Sequence, residues 1–111
     1  MNISIKPMNP SKDLLYIEEF VSPYIVAENL VSSGEWRVDK IDRDGTGTAS
    51  LSLSYWNDGF RYKEIKVDLY VLGIEIIEYD WVEDNSSRFV RTVNECLEML
   101  HIYFTKGIFD K

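Results

Sequence analysis

The chain has 111 residues, 45% of them hydrophobic, with 12 Lys and Arg against 19 Asp and Glu for a formal net charge of -7. That length suits one domain whose core needs neither disulfides nor a structural metal. The acidic balance argues against phosphate-backbone binding and suits a cationic partner or simple solubility. Cys96 is the only cysteine, which excludes an intramolecular disulfide or a cysteine zinc site and fits a reducing cytoplasm. No apolar run reaches signal-peptide length or approaches the ~20 residues of a membrane span, so a cytoplasmic protein without a membrane association is expected.

Asn2 to Lys6 alternates Ile3 and Ile5 with polar neighbours, an edge-strand or frayed-tail signal that Pro7 stops. Ser11 is the expected N-cap of a first helix, with Asp13 in its first turn and Leu14, Ile17 and Val21 at helical spacing. Pro23 lacks the N–H that would bond back to Glu19, so the helix is expected to kink there or restart with Ser22 as a fresh cap. Tyr24, Ala27 and Val31 then continue the apolar stripe to Ser32-Ser33-Gly34.

From Glu35 the hydrophobic period becomes two, and strand register is predicted by keeping apolar residues on one face. A two-residue Asp44-Gly45 turn of type I′ sets Val38 opposite Leu51 and Trp36 opposite Leu53. A three-residue loop Asn57-Asp58-Gly59 pairs Leu51 with Ile65, whereas a two-residue loop opposes Leu53 to Glu64. The same kind of loop at Val71-Leu72-Gly73 pairs Val67 with Ile77 and Ile65 with Tyr79; a two-residue turn at Leu72-Gly73 stays open and flips the last strand. The preferred register puts Trp36, Val38, Leu51, Leu53, Ile65, Val67, Ile77, Tyr79 and Trp81 on the core side. The opposite face then carries the alternating serines, Trp56, Phe60, Tyr62, Glu64, Lys66, Asp68, Tyr70, Ile76, Glu78 and Asp80.

Ser86 or Ser87 is the expected cap of a final helix with Phe89, Val93, Cys96, Leu97, Leu100 and Phe104 in one stripe, closed by Gly107 with Ile108 folded back on Tyr103. The fold class is therefore α+β in one domain over 1–111: a four-stranded antiparallel meander with a possible fifth N-terminal edge strand. A kinked or broken N-terminal helix and a C-terminal helix pack on one face and leave the other to water.

Catalytic and metal chemistry find little footing. Cys96 and the one histidine, His101, lie five apart on the last helix, about 140° around it, too far for a thiolate and its base. Asp39, Asp42 and Asp44 before Gly45 resemble a calcium loop, but Lys40 and Leu51 stand where its essential first and last acids belong. Gly45-Thr46-Gly47 lacks the lysine and helix of a phosphate loop. Glu64 and Asp80, cross-strand neighbours in this register, could divide acid and base roles, yet such pairs arise on any acidic sheet. No enzyme, cofactor or metal is expected.

What remains is a face where aromatics meet carboxylates. Trp56, Phe60 and Tyr62 cluster at the second turn, Glu64, Asp68, Glu78 and Asp80 extend along the same surface, and Glu83 and Asp84 continue at its end. Aromatic anchors inside a charged rim are the anatomy of a protein-binding patch. In size, charge and architecture, over the whole chain and without a shared motif, the sequence resembles bacterial immunity proteins that neutralise nuclease toxins. The resemblance implies an inhibitor that docks on a basic toxin or nuclease domain by long-range attraction and touches no nucleic acid itself. The alternative is a dimeric chaperone or adaptor whose aromatic face packs on a second copy.

Overall fold

Pro10, with its fixed φ and missing N–H, favours the first helical position. The computed structural model, which describes residues 9–43, 47–80 and 85–105, starts helix α1 (Pro10–Val31) there. Asn9, rather than Ser11, is the N-cap: its side-chain oxygen accepts from the Lys12 N–H at 3.3 Å, and its own N–H donates to the Asp13 carboxylate at 3.1 Å. The helix runs through Pro23 without a fresh cap at Ser22. Pro23 and Glu19 are both exposed, so the hydrogen bond that proline forfeits lies on the solvent side. Leu14, Ile17, Val21 and Ile25 are buried. Ala27 and Val31 leave that stripe and face solvent.

Five antiparallel strands follow in spatial order β1-β2-β3-β4-β5, namely β1 (Glu35–Arg43), β2 (Thr48–Asn57), β3 (Phe60–Tyr70), β4 (Gly73–Asp80) and β5 (Ser86–Val90), and helix α2 (Val93–Thr105) closes the chain. The architecture is the expected α+β meander, with its fifth strand drawn from Ser86–Val90. Asn2–Lys6, Trp81 and the Gly107 cap lie outside the described residues.

Each predicted register differs in detail. Between β1 and β2, Trp36 faces Tyr55 and Val38 faces Leu53, displaced by two residues from a turn centred on Asp44-Gly45, which itself lies outside the described residues. A displacement of two leaves every side chain on its predicted face, so alternation alone could not choose between the two registers. The Trp36 and Tyr55 rings, 5.3 Å apart, now pack together.

Between β2 and β3 the loop is two residues, Asp58-Gly59, both with positive φ (52° and 80°), the type I′ geometry. The conflict that argued against it is removed by a bulge. The register shifts between Tyr55 and Trp56, pairing Tyr55 with Lys63 and Trp56 with Arg61, so Tyr62 is the extra residue and Leu53 faces Ile65.

Between β3 and β4 the correction is larger. Tyr70 pairs with Gly73 across a two-residue Val71-Leu72 turn, which sets Val67 opposite Ile76 and Ile65 opposite Glu78. Parity flips: Ile74 and Ile76 are buried, and Ile77 and Tyr79 move to the opposite face. Strand β5 explains the preference, because Val90 pairs with Ile74 and completes the same core. Phe89 lies over Gly73 so closely that a Cβ there would collide with its ring.

Ser86 and Ser87 thus belong to a strand, and Thr92 caps α2 instead. Its hydroxyl accepts from the Glu95 N–H at 3.1 Å and donates to the Glu95 carboxylate at 3.0 Å. Cys96, Leu100 and Tyr103 join the core, which lies between the two helices and one face of the sheet. Asn29 ties α1 to the start of β1 by accepting from the Trp36 N–H at 2.7 Å and donating to its carbonyl at 3.2 Å.

Candidate partner-binding face

With both helices on the side of Leu51, Ile65 and Ile76, the opposite sheet face carries no helix. Serines 50, 52 and 54 form a ladder along β2, and two of them hold carboxylates from β3. The Ser50 hydroxyl donates to Asp68 at 2.7 Å and the Ser52 hydroxyl to Glu64 at 2.8 Å. Arg61 also reaches Glu64 at 3.2 Å, and Lys66 lies 3.9 Å from Asp68. Asp68 stands directly opposite Glu75 on β4. Partial burial first, then these two carboxylates, raise the Tyr70 phenol above its ordinary range against the opposing pull of Lys66. Asp68 and Tyr70 border an open depression of about 310 Å³.

The aromatics separate at the bulge. Trp56 stays on this face but is half-buried: its indole N–H donates to the Ser54 hydroxyl at 2.9 Å, and the Arg37 guanidinium lies 4.6 Å from its ring centroid. Tyr62 is 42% exposed at the bulge. Phe60, 65% exposed, pairs with Asn57, so its register places it on the helix side. The expected cluster of Trp56, Phe60 and Tyr62 on one surface therefore does not form.

The carboxylates also redistribute. Glu64 and Asp68 lie on the helix-free face as expected. Glu78 does not: the parity flip carries it to the helix side, where it accepts from the Ser86 hydroxyl at 3.2 Å and helps burial raise the Tyr103 phenol. Asp80 pairs with Lys63, and Glu64 faces Tyr79, so the Glu64–Asp80 cross-strand pair is not made. Glu83 and Asp84 lie outside the described residues. Sequence reasoning placed Tyr70 on this face and missed Glu75. The available signal was the two-residue turn Val71-Leu72, which the glycine-ended loop pattern hid.

Charge on the sheet face is mixed, with Asp39, Glu64, Asp68 and Glu75 beside Arg37, Arg61 and Lys66. The acidic excess sits in the helices. Asp13, Glu18, Glu19, Glu28, Glu95 and Glu98 oppose the single cation Lys12, a net -5 of the chain's -7.

Cys96 is fully buried, and burial pushes its thiol up to about 12, while His101 is exposed with Nδ1 2.5 Å from the Tyr24 hydroxyl. The two do not meet. Among the described residues no three His, Cys, Asp or Glu side chains gather as a metal site, and no helix is long and apolar enough to cross a membrane. No protein-family model matches the chain, and no curated protein matches its sequence.

Proposed function

We propose that the chain is a non-catalytic, immunity-protein-like inhibitor that occludes a basic toxin or nuclease domain with the helix-free face of its sheet. The observation that carries the proposal is the Asp68–Glu75 pair. Like charges directly opposite on neighbouring strands destabilise a sheet, and among the described residues Glu75 has no ion pair to offset the repulsion. A Lys or Arg from a partner, placed over Asp68 and Glu75 with Glu64 nearby, would relieve it. Tyr62 and Tyr70, 42% and 39% exposed, supply apolar contact beside the carboxylates.

The helical acids add a long-range field that speeds encounter with a cation-rich cleft without touching it. Such a protein would work in the bacterial cytoplasm, where a lone free thiol at Cys96 stays reduced. The adaptor alternative has less support, because Trp56 and Phe60 point to opposite faces by register. Charge reversal tests the proposal. Glu75→Lys should lower the association rate for the basic partner and flatten its salt dependence, and an unchanged rate would argue against this face.

A further inference from the structure

Asp68 on β3, Glu75 on β4 and Phe89 on β5 follow one another across the sheet, each directly opposite the next. All three face away from the helices, because their chain neighbours Val67, Leu69, Ile74, Ile76 and Val90 fill the core. In the adjoining cross-strand pair Tyr70 stands opposite Gly73. Glycine supplies no side chain there, and the Phe89 ring takes the space that a Cβ would need. Two exposed aromatic rings, Tyr70 and Phe89, therefore border the Asp68–Glu75 pair. Lys66, 3.9 Å from Asp68, offsets one of the two negative charges, and among the described residues Glu75 makes no ion pair.

We infer that this row is an arginine site, in which the guanidinium of one partner arginine lies over Asp68 and Glu75 and against the rings of Tyr70 and Phe89. The inference rests on the sheet-face proposal for the protein that carries the arginine, and it narrows the contact to one type of side chain. Chemistry selects arginine over lysine. Directly opposed cross-strand side chains have Cβ atoms about 5 Å apart. The planar fork of a guanidinium can donate to two carboxylates at that spacing, whereas an ammonium meets them as a point charge. A guanidinium is also less strongly hydrated and stacks on aromatic faces. One cation matches the one negative charge that Lys66 leaves uncompensated. The depression of about 310 Å³ bordered by Asp68 and Tyr70 adjoins the row and gives the methylene stem of a long side chain a recess. A second copy meeting this face symmetrically would bring the same carboxylate pair against it.

The test titrates the whole protein with end-capped Gly-Arg-Gly and Gly-Lys-Gly, which carry one positive charge each, and follows amide chemical shifts. The inference expects saturable shifts centred on Asp68, Tyr70, Gly73, Glu75 and Phe89, with the arginine peptide bound at least about threefold more tightly than the lysine peptide. Glu75→Gln should weaken the arginine peptide about fivefold. Phe89→Leu keeps an apolar side chain but removes a ring, and should weaken it about threefold. Tyr70→Leu removes the other ring with the same expected loss, so a folding defect in one variant leaves the other to decide. Tyr70→Phe keeps the ring and should stay within about 1.5-fold. Equal binding of the two peptides, shifts centred elsewhere, no saturable shift up to about 20 mM, or arginine binding untouched by both leucine variants would each overturn the inference. If a basic protein is captured and released by Glu75→Lys while the tripeptides show no arginine preference, the arginine site fails and the sheet-face proposal stands. Capture of no basic protein, with the arginine preference intact, defeats the sheet-face proposal alone.

Discussion

Substituting the adjacent residues Ile76 and Ile77 separates the observed sheet from its mirror register. Ile76 is 1% exposed and packs in the core, opposite Val67, whereas Ile77 is only partly buried, on the helix-free face opposite Lys66. Truncating a fully buried isoleucine to alanine removes its transfer free energy and leaves a cavity, about 3 kcal/mol in a site flanked by β-branched neighbours. For a domain of this size that loss lowers the melting temperature by roughly 12 °C. Ile77→Ala removes a partly solvated side chain and should cost less than about 1 kcal/mol. Urea denaturation of both variants, followed by circular dichroism with the slope held to the wild-type value, measures the difference. Equal losses, or a larger loss for Ile77→Ala, would refute the Val71-Leu72 turn and return Glu78 to the helix-free face.

Three further outcomes follow from individual contacts. Asn29→Ala breaks both bonds to the Trp36 backbone and should cost about 2 kcal/mol by chemical denaturation; a loss under about 0.5 kcal/mol would mean water replaces the amide. Cys96 should resist alkylation in the native protein near pH 8 and react only on unfolding. Because burial raises the folded thiol from 9.0 to about 12, the unfolded state releases its proton first. The Cys96 contribution is therefore complete below about pH 9 and declines as pH rises toward about 12, and Cys96→Ala should flatten that decline. An identical alkaline profile in Cys96→Ala would contradict this assignment. Glu75→Lys relieves the repulsion with Asp68 and should raise stability by about 0.5 kcal/mol; a loss of stability would show that Glu75 already has a compensating partner.

The fold class was legible because its signals are periodic. Alternation along Thr48–Tyr70 and the stripe Leu14, Ile17, Val21 each select one face whatever the exact pairing. Register was not legible, since a shift of two keeps every face and the choice falls to particular contacts such as Trp36 on Tyr55 and Arg37 on Trp56. The bulge at Tyr62 has no composition of its own. It reconciles an Asp-Gly turn with the alternation on both sides. At Val71-Leu72 a β-branched residue occupies a tight turn that local propensity disfavours, and the selection comes from tertiary packing of Ile74 on Val90. The short strand Ser86–Val90 was hidden because Phe89 and Val90 also fit a helical stripe. The capping pair Thr92 and Glu95 was the overlooked marker of where α2 begins. The candidate face was legible at Glu64 and Asp68, on a strand whose parity was right, and misassigned at Glu78, on the strand whose parity was not.

The central claim is that the sheet face built around Asp68 and Glu75 binds a basic protein. Affinity capture from the native host with immobilised wild-type protein and Glu75→Lys in parallel tests it most directly. The account predicts a basic protein retained by the wild type at low salt, released as salt rises, and held at least about tenfold more weakly by Glu75→Lys. Retention of no basic protein, or equal retention by both, would contradict it.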